Sequence, residues 1–401
     1  MLEHLSGLKA ARRSAVAPFH VMDVLTAAKQ RQRTHGDVVS LGAGQPSAGA
    51  PTPVLAAAEA ALRDDPLGYT EQLGLPELRL AIAGHYGRTH GLPVTGDDVV
   101  ITTGSSGAFL LAFLSAFDVG DRVALGRPGY PAYRNILTAL GCEVVELPCG
   151  PETRFHATVR MLEELAEPVR GLVLASPANP TGTVLPPDEL ADIAAWCEAH
   201  DVRLVSDEIY HGITFGAAVD SAWRTSRDAI VVNSFSKYWC MTGWRLGWML
   251  VPEPLRAAVS ALSGNFTVCP PTLPQRAAVA AFEPESYAQV DAEVARYRVN
   301  RDVLLAGLAE LGVDRVAPAD GGFYLYADVS HLTTDSLEWC RRLLAETGVA
   351  IAPGIDFDPV DGGRFVRMSY AGPTEDMHTA LARLRKWLPA GTGRRSGSFG
   401  Q

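Results

Sequence analysis

The sequence predicts an α/β protein: a large domain with a mainly parallel seven-stranded sheet covered by helices, followed by a smaller α+β domain. Three observations carry that expectation. Seven short, unbroken, β-rich runs occupy 98–102, 122–125, 143–147, 171–175, 202–206, 229–233 and 246–251. Helical patterns such as 107–116 and 188–199 lie between them, and strands that alternate with helices favour parallel pairing with both faces covered. After residue 285 the pattern changes, which predicts a second unit.

That second unit begins with a long, arginine-rich charged helix over 287–311. A break at Gly321-Gly322 leads to a strand over 323–329, a helix over 336–347, a strand-like run at 365–369 and a last helix over 374–388. The stretch 390–401 is rich in glycine and serine, has two arginines and shows no apolar pattern, so a flexible tail is expected. No internal repeat is visible.

The composition narrows the function. A chain of 401 residues, 47% hydrophobic and 20% charged, is globular and long enough for two packed regions sharing one cleft. Its 35 basic and 45 acidic residues give a net charge of -10, with no basic block suited to a run of phosphates, so nucleic acid is not an expected partner. Six cysteines, at 142, 149, 197, 240, 269 and 340, form no close pair and no metal-like cluster. They read as reduced and structural, and no metal is expected. The first 13 residues lack an apolar stretch suited to export, and no run of about 18 apolar residues occurs. The expected location is cytoplasmic, with no membrane association.

The most informative segment is Ser234-Phe235-Ser236-Lys237, followed eight residues later by Arg245. A lysine at the end of a buried strand, with hydroxyls beside it and an arginine close behind, suits a covalent bond to an anionic cofactor. The hydroxyls and guanidinium can hold a phosphate while the amine reacts. A strand ending in an exposed lysine with a structural arginine fits this one segment about as well.

Three other segments favour the cofactor. Ser176-Pro177-Ala178-Asn179-Pro180-Thr181-Gly182 follows one predicted strand and Asp207-Glu208-Ile209-Tyr210 follows the next. Both leave the carboxyl ends of parallel strands, where open α/β sheets bind ligands. Asp207 can pair with a protonated pyridine nitrogen, and Asn179 and Tyr210 can donate to a phenolate oxygen. Taken singly, Asn179-Pro180 is a common turn and Asp207 a common helix cap. Thr103-Gly104-Ser105-Ser106-Gly107-Ala108 joins a strand to an apolar helix, and backbone N–H groups at such a helix start form a phosphate cradle. Gly42-Ala43-Gly44 lacks the spacing of a dinucleotide fingerprint and reads as a substrate loop.

These segments together resemble the class I and II aminotransferases, the fold type I pyridoxal phosphate enzymes. The resemblance runs in order from Leu41-Gly42-Ala43-Gly44-Gln45-Pro46 to Val366-Arg367-Met368-Ser369-Tyr370. It implies pyridoxal 5'-phosphate as cofactor, with Lys237 as the Schiff-base lysine and proton-moving base. Asp207 would meet the pyridine nitrogen, and Asn179 and Tyr210 the phenolate oxygen. Ser234, Ser236, Arg245 and the backbone of Ser105 and Ser106 would hold the phosphate, and Tyr130 would stack on the ring. Arg367 would grip the substrate carboxylate, helped by Asn179, with the backbone of Gly44 closing over it. Tyr69 matches the tyrosine that reaches the neighbouring subunit's phosphate, which implies a homodimer with shared active sites. The implied organisation is an N-terminal segment (1–46) packing with the small domain, a cofactor-binding domain (47–285), a small domain (286–389) and the tail (390–401).

The expected activity is transfer of an amino group from an L-amino acid to a 2-oxo acid by a ping-pong mechanism through a Lys237 aldimine. A carbon-sulfur lyase, or another pyridoxal phosphate enzyme of specialised amino acid metabolism, on the same scaffold is the alternative, since the cofactor motifs serve all of them. A non-enzymatic regulator would append a DNA-binding domain, and only about forty residues precede the matched region. Ser106 stands where some aspartate-specific members carry lysine, and no arginine can be assigned to a distal carboxylate. A strong preference for dicarboxylic substrates is therefore not expected. Phe19, Tyr130, Trp239 and Tyr324 are candidates to receive a neutral or hydrophobic side chain, and His211 reads as structural.

Overall fold

The structure, a computed structural model, describes residues 9–388. The expectations for the tail at 390–401, for the last residue of the small domain and for the first eight residues lie outside that range.

The central sheet has the seven strands that the apolar runs predict: β1 (Val99–Thr102), β2 (Arg122–Arg127), β3 (Glu143–Pro148), β4 (Gly171–Ala175), β5 (Arg203–Asp207), β6 (Ile230–Ser234) and β7 (Gly247–Leu250). Their order across the sheet is β1-β7-β6-β5-β4-β2-β3. All neighbours are parallel except β7, which runs antiparallel to both β1 and β6. The reason is local. The link from β6 to β7, residues 235–246, holds only a 3-10 turn at Thr242–Trp244 and no crossover helix, so the chain doubles back.

Successive side chains on these strands enter opposite layers, as the pleat requires. Val123, Leu125, Val173, Val205, Ile230 and Val232 pack with Phe109 and Phe113, and with Tyr133 and Leu137. Those partners lie on α4 (Gly104–Ala116) and α5 (Pro131–Leu140), helices that follow α1 (His20–His35), α2 (Thr52–Asp64) and α3 (Pro76–His90). Ala124, Leu172, Leu174, Leu204 and Val231 face the other way, in one cluster with Leu78, Ile82 and Tyr86 of α3. The same cluster includes Leu190, Ile193 and Ala194 of α6 (Pro187–Ala199). Both faces are covered, which is why the strands read as continuous apolar runs.

Beyond β7 come α7 (Arg256–Phe266) and the long helix α8 (Pro284–Glu310). A second, antiparallel sheet joins β8 (Tyr324–Asp328), β9 (Ala352–Pro353) and β10 (Phe365–Ser369), in the order β9-β10-β8. With it packs α9 (Ser336–Thr347), and α10 (Thr374–Trp387) packs on α8 and α9. The N-terminal part joins this region: Val39 and Ser40 pair in parallel with Val349 and Ala350, and α1 lies on α9 and β9. No helix among the described residues is long and apolar enough to cross a membrane.

Candidate active site

The order of the central strands reverses between β2 and β4, so the loops leaving their carboxyl ends diverge and open a crevice. Tyr130 comes from the loop after β2 and Asn179 from the loop after β4, while Asp207 ends β5. A cavity of about 280 Å³ at this point is lined by Gly44, Ser105, Ser106, Tyr130, Asn179, Asp207, Tyr210, Ser236, Lys237, Arg245 and Arg367. Eleven of the thirteen residues singled out in the sequence therefore meet in one place.

Lys237 is half-buried and its Nζ donates to the Gly44 carbonyl at 2.6 Å. Burial pulls its pKa down, opposed by Tyr324 and Asp207 and assisted by Arg367 and Arg245. The amine is thus poised toward its neutral, nucleophilic form. Asp207 is only 3% exposed, and burial pushes its carboxyl up to about 6. One oxygen accepts from the Tyr133 hydroxyl and the other from the Ile209 amide at 3.1 Å. A carboxylate held this deep calls for a cationic partner in the cavity.

At the opposite end, α4 starts with no side-chain cap, so the amides of Ser105 and Ser106 keep unpaired donors at the positive end of the helix. Gly104 makes this possible. Its φ is +66°, and an added Cβ would lie 2.5 Å from Arg245 Nη2. Arg245 itself sits at φ +53°, a left-handed conformation that a non-glycine residue adopts at a cost, and its Nη1 donates to the Thr242 carbonyl at 2.9 Å. The result is an anion cradle at one end and a buried acid at the other.

Arg367 is buried between the rings of Tyr324, 4.3 Å away, and Phe357, 4.7 Å away. It donates to Asn179 Oδ1 at 3.0 Å and to the Gly42 carbonyl at 2.8 Å, and its Nε has no partner among the described residues. Those two bonds leave donors for a carboxylate. Tyr210 and Tyr324 share a hydrogen bond of 2.9 Å between their hydroxyls, and burial raises the Tyr210 pKa well above its ordinary value.

Two sequence expectations need correction. Ser234 does not line the cavity: its hydroxyl is bound to Ser236 Oγ at 2.9 Å and to the Leu246 carbonyl at 3.1 Å, so it holds Ser236 in place from behind. Trp239 packs against Phe235, Phe282 and Tyr287 in the core, away from the cavity, because the residues after Lys237 turn back beneath the sheet. Tyr69, expected to reach a neighbouring subunit's phosphate, is 86% exposed and lies outside the cavity of its own chain. Sequence reasoning also missed Tyr133, although its position three residues after Tyr130 at the start of a helix could have suggested it. Val21, Met22 and Leu25 line the cavity beside the expected Phe19, with no motif to signal them. Among the described residues no cluster of His, Cys, Asp and Glu could hold a metal ion.

Residues 36–384 match the family model for aminotransferase class I and II. The chain is 64% identical over 384 residues to the valine–pyruvate aminotransferase of Mycobacterium tuberculosis, an alignment that covers 95% of this chain and 99% of that one. It is 35% identical to the aspartate/prephenate aminotransferase of Thermus thermophilus, covering 94% and 98%. A crystal structure of an aminotransferase from Mycobacterium tuberculosis superposes with a TM-score of 0.94 at 64% identity, over 96% of this chain and 100% of the other. The chain belongs to the class I and II aminotransferases, a family that uses pyridoxal 5'-phosphate. It is a transaminase, with amino acid and 2-oxo acid substrates, and the lyase alternative is not favoured.

Proposed function

We propose that this chain is a pyridoxal phosphate-dependent transaminase that takes the amino group of a neutral aliphatic amino acid, valine above all, and delivers it to pyruvate. The observation that carries the cofactor is one cavity combining the amine of Lys237, the buried acid of Asp207 and the uncapped start of α4 beside Arg245. These groups fit an anionic group at one end, a ring cation at the other and a carbonyl between. When bound, the cofactor supplies a carbonyl for the amino group and an electron sink for the α-carbon.

The chain's own residues do the rest. Ser105 and Ser106 amides, Ser236 and Arg245 would hold the phosphate, with Ser234 fixing Ser236. Asp207, oriented by Tyr133, would keep the ring nitrogen protonated. Tyr130 would stack on the ring, while Asn179 and Tyr210 would donate to the ring oxygen. Arg367 would bind the substrate carboxylate beside Asn179, and the Gly44 carbonyl, which accepts from Lys237 Nζ at 2.6 Å, faces the same space. Lys237 would serve as the base that moves the substrate α-proton, and the apolar wall would keep water away.

Valine is favoured because the outer wall is Phe19, Val21, Met22 and Leu25, and because the cationic residues lining the cavity are Lys237, Arg245 and Arg367, all assigned. A distal carboxylate has no partner there. The Mycobacterium tuberculosis relative that transfers between valine and pyruvate points the same way. We read 47–285 as the cofactor-binding domain and 286–389 as the small domain on which 1–46 packs. Six free cysteines suit a reducing cytoplasm, and the exposed Tyr69 suits a homodimer with shared sites.

The test is a donor panel of valine, alanine, leucine, phenylalanine and aspartate on purified protein loaded with cofactor, monitored by loss of the yellow absorbance and by keto acid formed. Valine is expected to lead and aspartate to trail. A strong preference for aspartate would overturn the substrate assignment, and a colourless protein with no cofactor uptake would overturn the rest.

A further inference from the structure

The outer wall of the cavity is the start of α1, and this helix has no cap of its own. Its N-cap residue is Phe19, which makes no side-chain cap hydrogen bond, so its first amides need an acceptor from elsewhere. They find it 336 and 335 residues away. Asp356 Oδ1 accepts from the His20 amide at 2.8 Å and Oδ2 from the Val21 amide at 2.6 Å. One carboxylate thus bridges two consecutive donors at the positive end of a 16-residue helix.

Asp356 is itself buried, in the 3-10 turn Gly354–Asp356. The next residue, Phe357, lays its ring on the guanidinium of Arg367 at 4.7 Å and accepts from the Gly129 amide at 2.9 Å. Asp358 then pairs with Arg127 at 2.9 Å. A single turn therefore fixes both Arg367 and the apolar wall, so the distance between the two is set by adjacent residues of one short segment. A donor whose carboxylate sits on Arg367 is measured by how its side chain meets Phe19, Val21, Met22 and Leu25.

We propose that Asp356 is a positioning residue for substrate choice: it latches α1 so that these four side chains form the surface that receives a branched aliphatic side chain. The proposal rests on the aliphatic-donor reading above. Removing the latch lets α1 fray at its first turn, and the wall recedes. Valine, whose methyl groups lean on the wall, loses contacts that the single methyl of alanine makes less of. The amide in Asp356→Asn presents an NH₂ group to one of the two donors, so it should act in the same direction as Asp356→Ala with a smaller effect.

The experiment uses the cofactor-loaded protein and amino acid alone, following the half-reaction by absorbance, together with hydrogen exchange. Asp356→Ala is expected to raise the half-saturating valine concentration about fivefold or more, the size of a lost helix cap, with alanine moving by less than about twofold. The amides of 20–25 should exchange faster, while those of α4 and α9 hold. Equal changes for valine and alanine, or unchanged exchange at 20–25, would overturn the latch. If the parent protein itself shows no preference for valine over alanine, the substrate reading fails, and the exchange result still decides whether Asp356 holds α1. Should Asp356→Ala not fold, Asp356→Asn is read in its place, and Phe19→Ala must show the same selective loss for valine.

Discussion

Glu208 lies directly behind Asp207, and its two oxygens face different company. Oε1 accepts from the hydroxyls of Ser206 and Ser221 and from the Ala222 amide, at 3.2, 3.1 and 2.8 Å. Oε2 meets only His211 Nδ1, 3.4 Å away. Burial pushes Glu208 up to about 8 and holds His211 well below its ordinary value. The two are a neutral acid beside a neutral imidazole at pH 7 and not an ion pair, since two charges at this depth would lose more hydration than they regain. The folded protein therefore keeps a proton that the unfolded chain releases above about 4.5. Stability from this group is present below that pH and drains as pH rises to about 8, by at most ~1.4 kcal/mol per pH unit. Glu208→Gln keeps the accepting oxygen and cannot ionise, so its Tm should fall less than the parent's between pH 5 and 8. Parallel Tm curves would show that Glu208 does not titrate there. At Lys237 the expected outcome is starker: Lys237→Ala should abolish turnover yet bind cofactor non-covalently, because phosphate and ring contacts come from other residues, and turnover within about tenfold of the parent would remove its assigned role. Lys237 and Asp207 were legible because each closes a strand or follows it in a local motif, and Arg367, in the middle of β10, only through the resemblance of its segment to the family. Tyr133, whose acceptor Asp207 is 74 positions away, and Asp356, whose donors are 335 and 336 away, were not, since no local pattern encodes a partner that distant.

Among the elements, α4 shows what sequence reading captures and what it loses. Its phosphate-loop character was visible in the run of small residues, but the helix was expected from 107 and begins at Gly104. The glycine and serine run forms the first helical turn itself. Strand positions shifted by a residue or two, as at β5 and β6, because periodicity marks what is buried and not where pairing stops. The direction of β7 was hidden for another reason: it depends on the length of a link that carries no helix. The Gly104 geometry sets an expected outcome at this scale. Gly104→Ala forces a side chain into a left-handed conformation, costing about 1–2 kcal/mol, and drives its Cβ against Arg245. Cofactor affinity, measured by absorbance titration, should drop about tenfold or more. Gly120→Ala is the control: φ is +91° there too, but nothing lies within 4 Å of the added Cβ. It should cost stability and leave cofactor binding alone. Equal losses of affinity in the two variants would mean that strain alone, and not the Arg245 contact, is responsible.

For the whole molecule, the exposed apolar residues bear on how two copies would meet. Tyr69 is 86% exposed, and Phe266 and Val268 are 55% and 51% exposed. They belong to neighbouring segments, since Gln72 bonds Ser260, the Gln72 carbonyl accepts from Ser263 at 3.0 Å, and the Gly68 carbonyl accepts from Thr272 at 2.7 Å. Apolar side chains left outside in this way favour a partner surface. A symmetric pair would repeat every contact in both directions, so each Tyr69 would enter the other subunit's site. Complementation separates this from a tyrosine that serves its own chain. Tyr69→Ala, expected to loosen cofactor, is co-expressed with inactive Lys237→Ala, and the mixed dimer is isolated by differential tags. If Tyr69 acts across the interface, one site carries both defects and the other neither, so activity should return to about half that of the parent dimer. If Tyr69 serves its own subunit, every site keeps one defect. Activity would then stay at or below about half that of Tyr69→Ala, and the shared-site dimer would be ruled out.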